Sequence, residues 1–232
     1  MFILFDIGQH VEAVSSYARD IDFLIFLIAC LVGMPFVIAE FVLISFILKF
    51  RKKSGKKALY VTGEEPAQKK WISIPHYVVL LFDIIIIIFA IRIWVNVKQV
   101  HPPAERKIGI EGRQWVWNFT HPGKDGKLGT EDDIRKTNEL HIEVDKVYHF
   151  KLTSIDVLHD FSVPVFRLKQ DAIPGREITG WFKAIKTGKH DIQCAEMCGI
   201  GHGLMAARLI VSDKVTHKKW VLSNTKKKFA SK

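Results

Sequence analysis

The sequence predicts a two-helix transmembrane hairpin followed by an all-β sandwich or barrel, and three features predict it. Two long apolar stretches, 23–48 and 77–97, enclose a loop crowded with lysine. From residue 99 onward, short runs of alternating apolar and polar residues are separated by turn formers, the pattern of regularly spaced strands. Near the C-terminal end, a glycine-rich stretch gathers two cysteines, a histidine and a methionine within a dozen positions. With 232 residues, 48% of them hydrophobic, the chain has room for one modest soluble domain beside its apolar segments.

Residues 1–22 carry Asp6, Glu12, Asp20 and Asp22 against a single Arg19. That is not the basic leader of a secretory signal, so the segment reads as extramembrane with no cleaved signal. The stretch 23–48 would span roughly 39 Å as a helix, enough to cross a bilayer with tilt. Pro35 within it suggests a kink, and Cys30 reads as a packing residue. The second stretch would span roughly 31 Å. Between them, Lys49, Arg51, Lys52, Lys53, Lys56, Lys57, Lys69 and Lys70 face only Glu64 and Glu65. The positive-inside rule makes this loop cytoplasmic and puts both termini and everything after the hairpin on the opposite side. Much of the formal net charge of +10 is then topology, with lysines available to anionic lipid, and does not indicate nucleic acid. Glu40 and Asp83 interrupt the spans; intramembrane carboxylates face protein or water, so they are read as packing against a partner subunit or, second, as moving protons. The resulting division is 1–22, an extramembrane segment; 23–98, the hairpin; 99–222, the β domain; and 223–232, a basic tail.

His101, Pro102 and Pro103 mark the linker into the β domain. Strands are expected at 107–111, 114–119, 139–144, 148–152, 177–182, 190–193 and 207–211, and a closing helix at 215–222. In 114–119 a strand would present Trp115, Trp117 and Phe119 on one face, the ordinary stripe of a core. The loop 123–133 has acidic spacing that faintly suggests calcium but lacks the ligand ladder of an EF-hand, and reads as a solvated hairpin loop. His121, His141, His149 and His217 read as exposed or packed.

The spacing C-x3-C-x3-H-x2-M from Cys194 through Cys198 and His202 to Met205 is a soft donor set. Thiolate and thioether suit copper, zinc or iron clusters, and the intervening glycines permit a tight loop. His159, in the segment D-V-L-H before D-A-I-P-G-R, is the candidate for a further ligand. A structural zinc site or a disulfide between the two thiols would use part of this set, though neither uses Met205. No C-x-x-C-H is present, which excludes attached c-type haem on this chain.

At these residues the chain resembles subunit II of haem-copper cytochrome c oxidases. The resemblance implies a cupredoxin-type Greek-key barrel holding a binuclear copper centre, CuA. In it Cys194 and Cys198 bridge two coppers, His159 and Met205 complete one, and His202 with the backbone carbonyl of Glu196 completes the other. It also implies that Trp115, in a G-x-Q-W context, is where electrons arrive from a c-type cytochrome, and that the Glu196 side chain reaches a magnesium or manganese ion at the boundary with subunit I, near Arg176. Carboxylates recruiting the cytochrome would be Asp125, Asp132, Asp133, Glu139, Asp145 and Asp156. The implied function is relay of electrons to haem in subunit I for reduction of oxygen to water, in a proton-translocating complex with subunit I and subunit III in a bacterial inner membrane, the β domain being periplasmic. A copper-storage or assembly module is the alternative. The family's proton-uptake carboxylate before the second span is replaced here by Gln68, leaving Glu65, Asp83 or Glu40 as substitutes.

Overall fold

A computed structural model describes residues 11–229 apart from 53, 56, 58 and 59, with the backbone alone over 226–229; the expectations for residues 1–10, Lys53, Lys56 and the end of the tail lie outside the described residues. The described chain divides into two units, one comprising residues 22–94 and the other residues 11–21 with 95–229.

The first unit is built on two long helices, α1 (Ala18–Phe50) and α2 (Pro66–Trp94), the second passing into a π-helical turn at Val95–Gln99. Both extend beyond the apolar stretches, because a helix propagates through polar residues of good propensity once nucleated. Pro66 occupies the first turn, where its missing N–H costs nothing, and just upstream the Gln68 side chain accepts the Gly63 N–H at 2.8 Å. The most apolar parts of both helices are unburied, with Phe36, Phe41, Ile47 and Ile88 more than half exposed. Apolar surface this extensive marks a membrane or partner contact, and both helices are long and apolar enough to span a bilayer. Cys30, expected to pack, is exposed on α1, as are Glu40 and Asp83 on their helices.

In the second unit, among the described residues, ten strands form two five-stranded sheets. They are β1 (Arg106–Arg113), β2 (Val116–His121), β3 (Ile134–Thr137), β4 (Glu139–Glu143), β5 (Val147–Ser154), β6 (His159–Val163), β7 (Leu168–Ala172), β8 (Ile178–Lys183), β9 (Gly188–Cys194) and β10 (Ala206–Ser212). The sheet orders are β3-β2-β1-β5-β8 and β4-β10-β9-β6-β7. Each contains one parallel pair, β1 with β5 and β4 with β10, which chain crossing between the sheets makes possible. Inward residues such as Ile108, Trp117, Phe119 and Phe150 from one sheet and Ile142, Phe161, Ile192 and Leu209 from the other are fully buried in a shared core. Strands β3, β6 and β7 were not expected. All five residues of β6 are buried, the polar Asp160 and Ser162 included.

The N-terminal segment is part of this unit. Val14 N–H donates to the Val165 carbonyl, Ile185 N–H donates to the Val14 carbonyl, and Ser15 bridges to Ala184. Val14, Ser15 and Tyr17 are buried.

The C-terminal helix α3 (Lys214–Phe229) is longer than expected and absorbs most of the basic tail, which lysine's helix propensity permits. Asp213 caps it, accepting the Val215 and Thr216 N–H groups. Its Trp220 stacks on His141 at 4.2 Å and meets the edge of His121 at 5.1 Å. Burial, reinforced by the neighbouring His141, lowers the His121 pKa to about 3, and burial also lowers those of His141 and His217. A histidine whose folded pKa is depressed is stabilising while neutral, and the unfolded chain binds more protons as pH falls. The packing of α3 should therefore be fully present above about pH 6.5 and weaken progressively below it. Trp220-sensitive fluorescence, followed from pH 7 to 4, should report this loosening, and His121→Gln should flatten the transition; an unchanged profile would show that the imidazoles do not govern it.

Candidate metal centre

Strand direction puts the soft donors at one end of the sandwich. β1, β5, β7 and β9 run towards that end and β2, β6, β8 and β10 leave it. The turn 114–115, the loops 155–158 and 173–177, and the long β9–β10 loop 195–205 therefore gather there. Cys194 is the last residue of β9, His159 the first of β6, and Met205 immediately precedes β10. Phe161 pairs with Cys194 across β6 and β9, bringing the distant His159 to the thiol.

The donors converge. Cys194 Sγ lies 3.7 Å from Cys198 Sγ, 3.9 Å from His159 Nδ1 and 3.2 Å from the Glu196 carbonyl oxygen. Cys198 Sγ lies 3.6 Å from His202 Nδ1 and 3.7 Å from Met205 Sδ. Both thiols are buried and unlinked, well beyond the ~2 Å of a disulfide. Ligand atoms of His159, Cys194 and Cys198 all lie within 4.8 Å of one another, the one such group of metal-ligating side chains among the described residues. Burial and the adjacent Cys194 thiol push the Cys198 thiol up to about 11, so Cys198 keeps its proton unless a cation stabilises the thiolate.

Asp156 orients the buried imidazole. Its Oδ1 is 2.8 Å from His159 Nε2, so the ring donates from Nε2 and turns the Nδ1 lone pair towards the thiols, the tautomer a metal ligand needs. Burial opposes the charge of Asp156, but hydrogen bonds from the Gln114 N–H, the His159 ring and the Val157 N–H outweigh it and hold the carboxyl below its usual range. Beside it, burial pushes the Asp160 carboxyl up, helped by a hydrogen bond with Asp171. His159 Nδ1 and the Glu196 carbonyl lie beside Cys194, and His202 Nδ1 and Met205 Sδ beside Cys198, a soft donor set of the kind that copper or zinc takes.

Trp115 sits in the β1–β2 turn, not on the strand face with Trp117 and Phe119. Its Nε1 donates to the Cys198 carbonyl at 3.3 Å, and the indole rests directly on the loop: a Cβ on Gly201 would come within 2.3 Å of it. Trp117 and Phe119 are fully buried core residues. The Glu196 side chain is exposed, its Oε1 accepting the Met197 N–H at 3.2 Å.

Residues 107–214 match the family model for the periplasmic domain of cytochrome c oxidase subunit II. The chain is 32% identical to an alternative cytochrome c oxidase subunit 2 of Bradyrhizobium diazoefficiens, over 75% of this chain and 69% of the relative. The chain belongs to the cytochrome c oxidase subunit II family. It is also 28% identical to a cytochrome c oxidase subunit 2 of Thermostichus vulcanus, covering 96% of this chain and 81% of that one. A solved structure of the periplasmic domain of subunit II of cytochrome oxidase from Bradyrhizobium japonicum is similar at 34% identity, covering 55% of this chain and 99% of that chain with a TM-score of 0.49. Membership makes the chain a subunit of a cytochrome c oxidase complex, an oxidoreductase, with two candidate membrane spans preceding in sequence the part that matches the family's periplasmic domain.

The expected recruiting carboxylates require correction. Asp125, Asp132 and Asp133 lie in the β2–β3 loop and Asp145 in the β4–β5 turn, both at the end remote from the thiols, because β2 and β4 run away from the metal end. Asp132 accepts the Asp125 N–H and the Thr130 hydroxyl within its own loop. Only Glu139 and Asp156 stand at the metal end; Glu139 engages His141 and Asp156 engages His159. Asp156 was read as surface charge, and its role in holding His159 was the functional contact missed; its place three residues before the ligand was the available signal.

Glycine substitution separates close packing from open loop. Gly201→Ala should drive Trp115 off the loop and cost about 1–3 kcal/mol, whereas Gly203→Ala, with nothing within 4 Å of its Cβ, should stay within about 0.5 kcal/mol. Denaturant unfolding of the full chain in detergent checks the pair; equal effects would remove the indole contact from the account.

Proposed function

We propose that this chain is the electron-relay subunit of a cytochrome c oxidase, accepting single electrons from a c-type cytochrome at a binuclear CuA centre and passing them to haem in subunit I, where oxygen is reduced to water. The convergence of both imidazoles, Met205 and the Glu196 carbonyl on two unlinked buried thiols 3.7 Å apart carries this reading. Cys194 and Cys198 would hold the coppers through their thiolates, with His159, Met205, His202 and the Glu196 carbonyl as the remaining donors. Bound coppers would supply one-electron chemistry shared over both ions.

The chain's part is to hold these donors still. Cys194 N–H donates to the Met205 carbonyl at 3.1 Å, joining the two ends of the loop, and Asp156 fixes the His159 ring. Such anchoring keeps ligand geometry constant between redox states and tunes the centre through its hydrogen bonds. Trp115, lying against the Cys198 carbonyl, is the residue through which electrons arrive. The exposed Glu196 carboxylate suits a hard magnesium or manganese ion at the boundary with subunit I, where Arg176 is also placed by this reading. Subunit III completes the complex in a bacterial inner membrane, with both termini periplasmic. Any substitute for the family's proton-uptake carboxylate is Glu65, Asp83 or Glu40, the Gln68 side chain being engaged by the Gly63 N–H.

Electron paramagnetic resonance with copper counting on the copper-loaded full chain tests this. A delocalised two-copper signal is expected, lost in Cys198→Ser. In the assembled oxidase, Trp115→Phe should retain the signal but slow cytochrome oxidation by about tenfold or more, a barrier increase of about 1.4 kcal/mol. One zinc and no copper signal would favour a structural site; copper binding without cytochrome oxidation would favour storage or assembly.

A further inference from the structure

The end of β1 and the turn that follows it meet the donor cluster on two sides. Towards the histidine, a Cβ on Gly112 would lie 3.0 Å from His159 Cδ2 and 3.2 Å from Trp117 Cζ3, so the imidazole is seated against bare backbone. Towards the cysteine loop, a Cβ on Gly199, whose φ is +118°, would come within 3.0 Å of Gln114 Nε2. Strand β1 belongs to one sheet, while β6 and β9, which carry His159 and Cys194, belong to the other. Cys198 lies beyond the end of β9, where no ladder holds it.

Gln114 makes two hydrogen bonds that reach both arms. Its backbone N–H donates to Asp156 Oδ2 at 2.7 Å, and the other oxygen of that carboxylate, Oδ1, accepts from the His159 ring at 2.8 Å. Its side-chain Nε2 donates to the Cys198 carbonyl at 2.8 Å, the oxygen that also accepts from the Trp115 indole at 3.3 Å. A carbonyl oxygen has two lone pairs, and these two donors occupy them. One residue thus connects the group that orients His159 to the peptide that carries Cys198.

We propose that Gln114 is a positioning residue for the metal centre, fixing the separation between the His159 arm and the Cys198 loop through Asp156 on one side and the Cys198 carbonyl on the other. Its consequence for electron transfer rests on the copper-relay reading, but the tether itself belongs to the metal-free chain. Hydrogen bonds just outside a ligand set orient the ligands, and losing one weakens metal binding by about 10–100-fold. The amide also points the positive end of its dipole towards the centre, which favours the reduced, less positive state.

Gln114→Leu keeps the bulk and the backbone N–H to Asp156 and removes only the amide, so it isolates the tether. Two readouts on the full chain in detergent test it. In the metal-free chain, alkylation of Cys198, resolved from Cys30 and Cys194 by mass spectrometry, should be about tenfold faster in Gln114→Leu, because a buried thiol reacts when its loop opens and a lost hydrogen bond raises the open population. In the copper-loaded chain, the same variant should hold copper about tenfold less tightly, with altered hyperfine couplings in the electron paramagnetic resonance spectrum and a lower midpoint potential. Arg113→Gln, an exposed neighbour in sequence, should change none of these. Unchanged alkylation in Gln114→Leu, or an equal change in Arg113→Gln, would overturn the proposal. So would faster alkylation with unaltered couplings and potential, which would make the tether a loop contact without influence on the ligands. A missing copper signal in the unaltered chain would count against the relay reading instead, and the alkylation rates would still decide whether Gln114 positions the thiol.

Discussion

Two thiols buried 3.7 Å apart and left unlinked are the constraint on which the metal end depends. Sulfur that close and that dry tends to oxidise to a disulfide or to repel as a thiolate pair, so the frame has to hold it while leaving it reactive. The backbone of the loop does this. Cys194 and Met205 are joined by a hydrogen bond at the mouths of β9 and β10, the Ala195 N–H is taken by the Asp160 carbonyl, and a short 3-10 turn at His202–Leu204 satisfies the His202, Leu204 and Met205 N–H groups internally. With its polar backbone answered locally, the loop can turn Cys198, His202 and Met205 inward. Strand β6 then brings His159 from elsewhere in the chain, and Asp156 chooses which of its nitrogens faces the sulfur. Removing any of these supports leaves the donors present in the sequence and absent as a set.

What was legible in the sequence followed from local spacing. The thiol, imidazole and thioether positions lie on one loop, so their interval alone announced a donor set, and the two apolar stretches announced membrane-length helices. Alternation found β1, β2, β4, β5, β8, β9 and β10. It missed β6, a five-residue strand whose polar face, Asp160 and Ser162, is buried along with its apolar one, β3 because Ile134–Thr137 is four mostly polar residues, and β7 because Leu168–Ala172 has a polar centre. The helix ends were underestimated for the opposite reason: apolarity ended before hydrogen bonding did. The misplaced carboxylates came from a property that spacing does not encode. Whether a loop lies at one end of a sandwich or the other depends on the direction of the strand before it, and the aspartates of 123–133 follow a strand leading away from the metal end.

The two ends of the sandwich are chemically unlike, and this bears on what can approach the metal centre. Of the large apolar residues exposed in the β unit, Ile155, Leu158, Met197, Ile200 and Leu204 belong to the loops at the metal end. Ile200, 97% exposed, lies between the two glycines whose backbone supports the Trp115 indole, so its side chain borders the proposed point of electron arrival. The charged residues nearby are largely engaged: Asp191 with Arg208, Lys151 with Glu177, Asp156 with His159. Residues 99–232 hold 23 Lys and Arg against 16 Asp and Glu, a formal +7. On the proposed relay reading, a donor docking here meets exposed apolar side chains on a basic domain, with Glu196 as the exposed carboxylate of the β9–β10 loop. Apolar docking gains from water released at the contact and depends little on salt, while long-range attraction from a basic domain favours an acidic partner. On that reading, Asp125, Asp132, Asp133 and Asp145 are at the wrong end of the sandwich to steer a donor to the indole, and the exposed apolar side chains around it supply contact area instead.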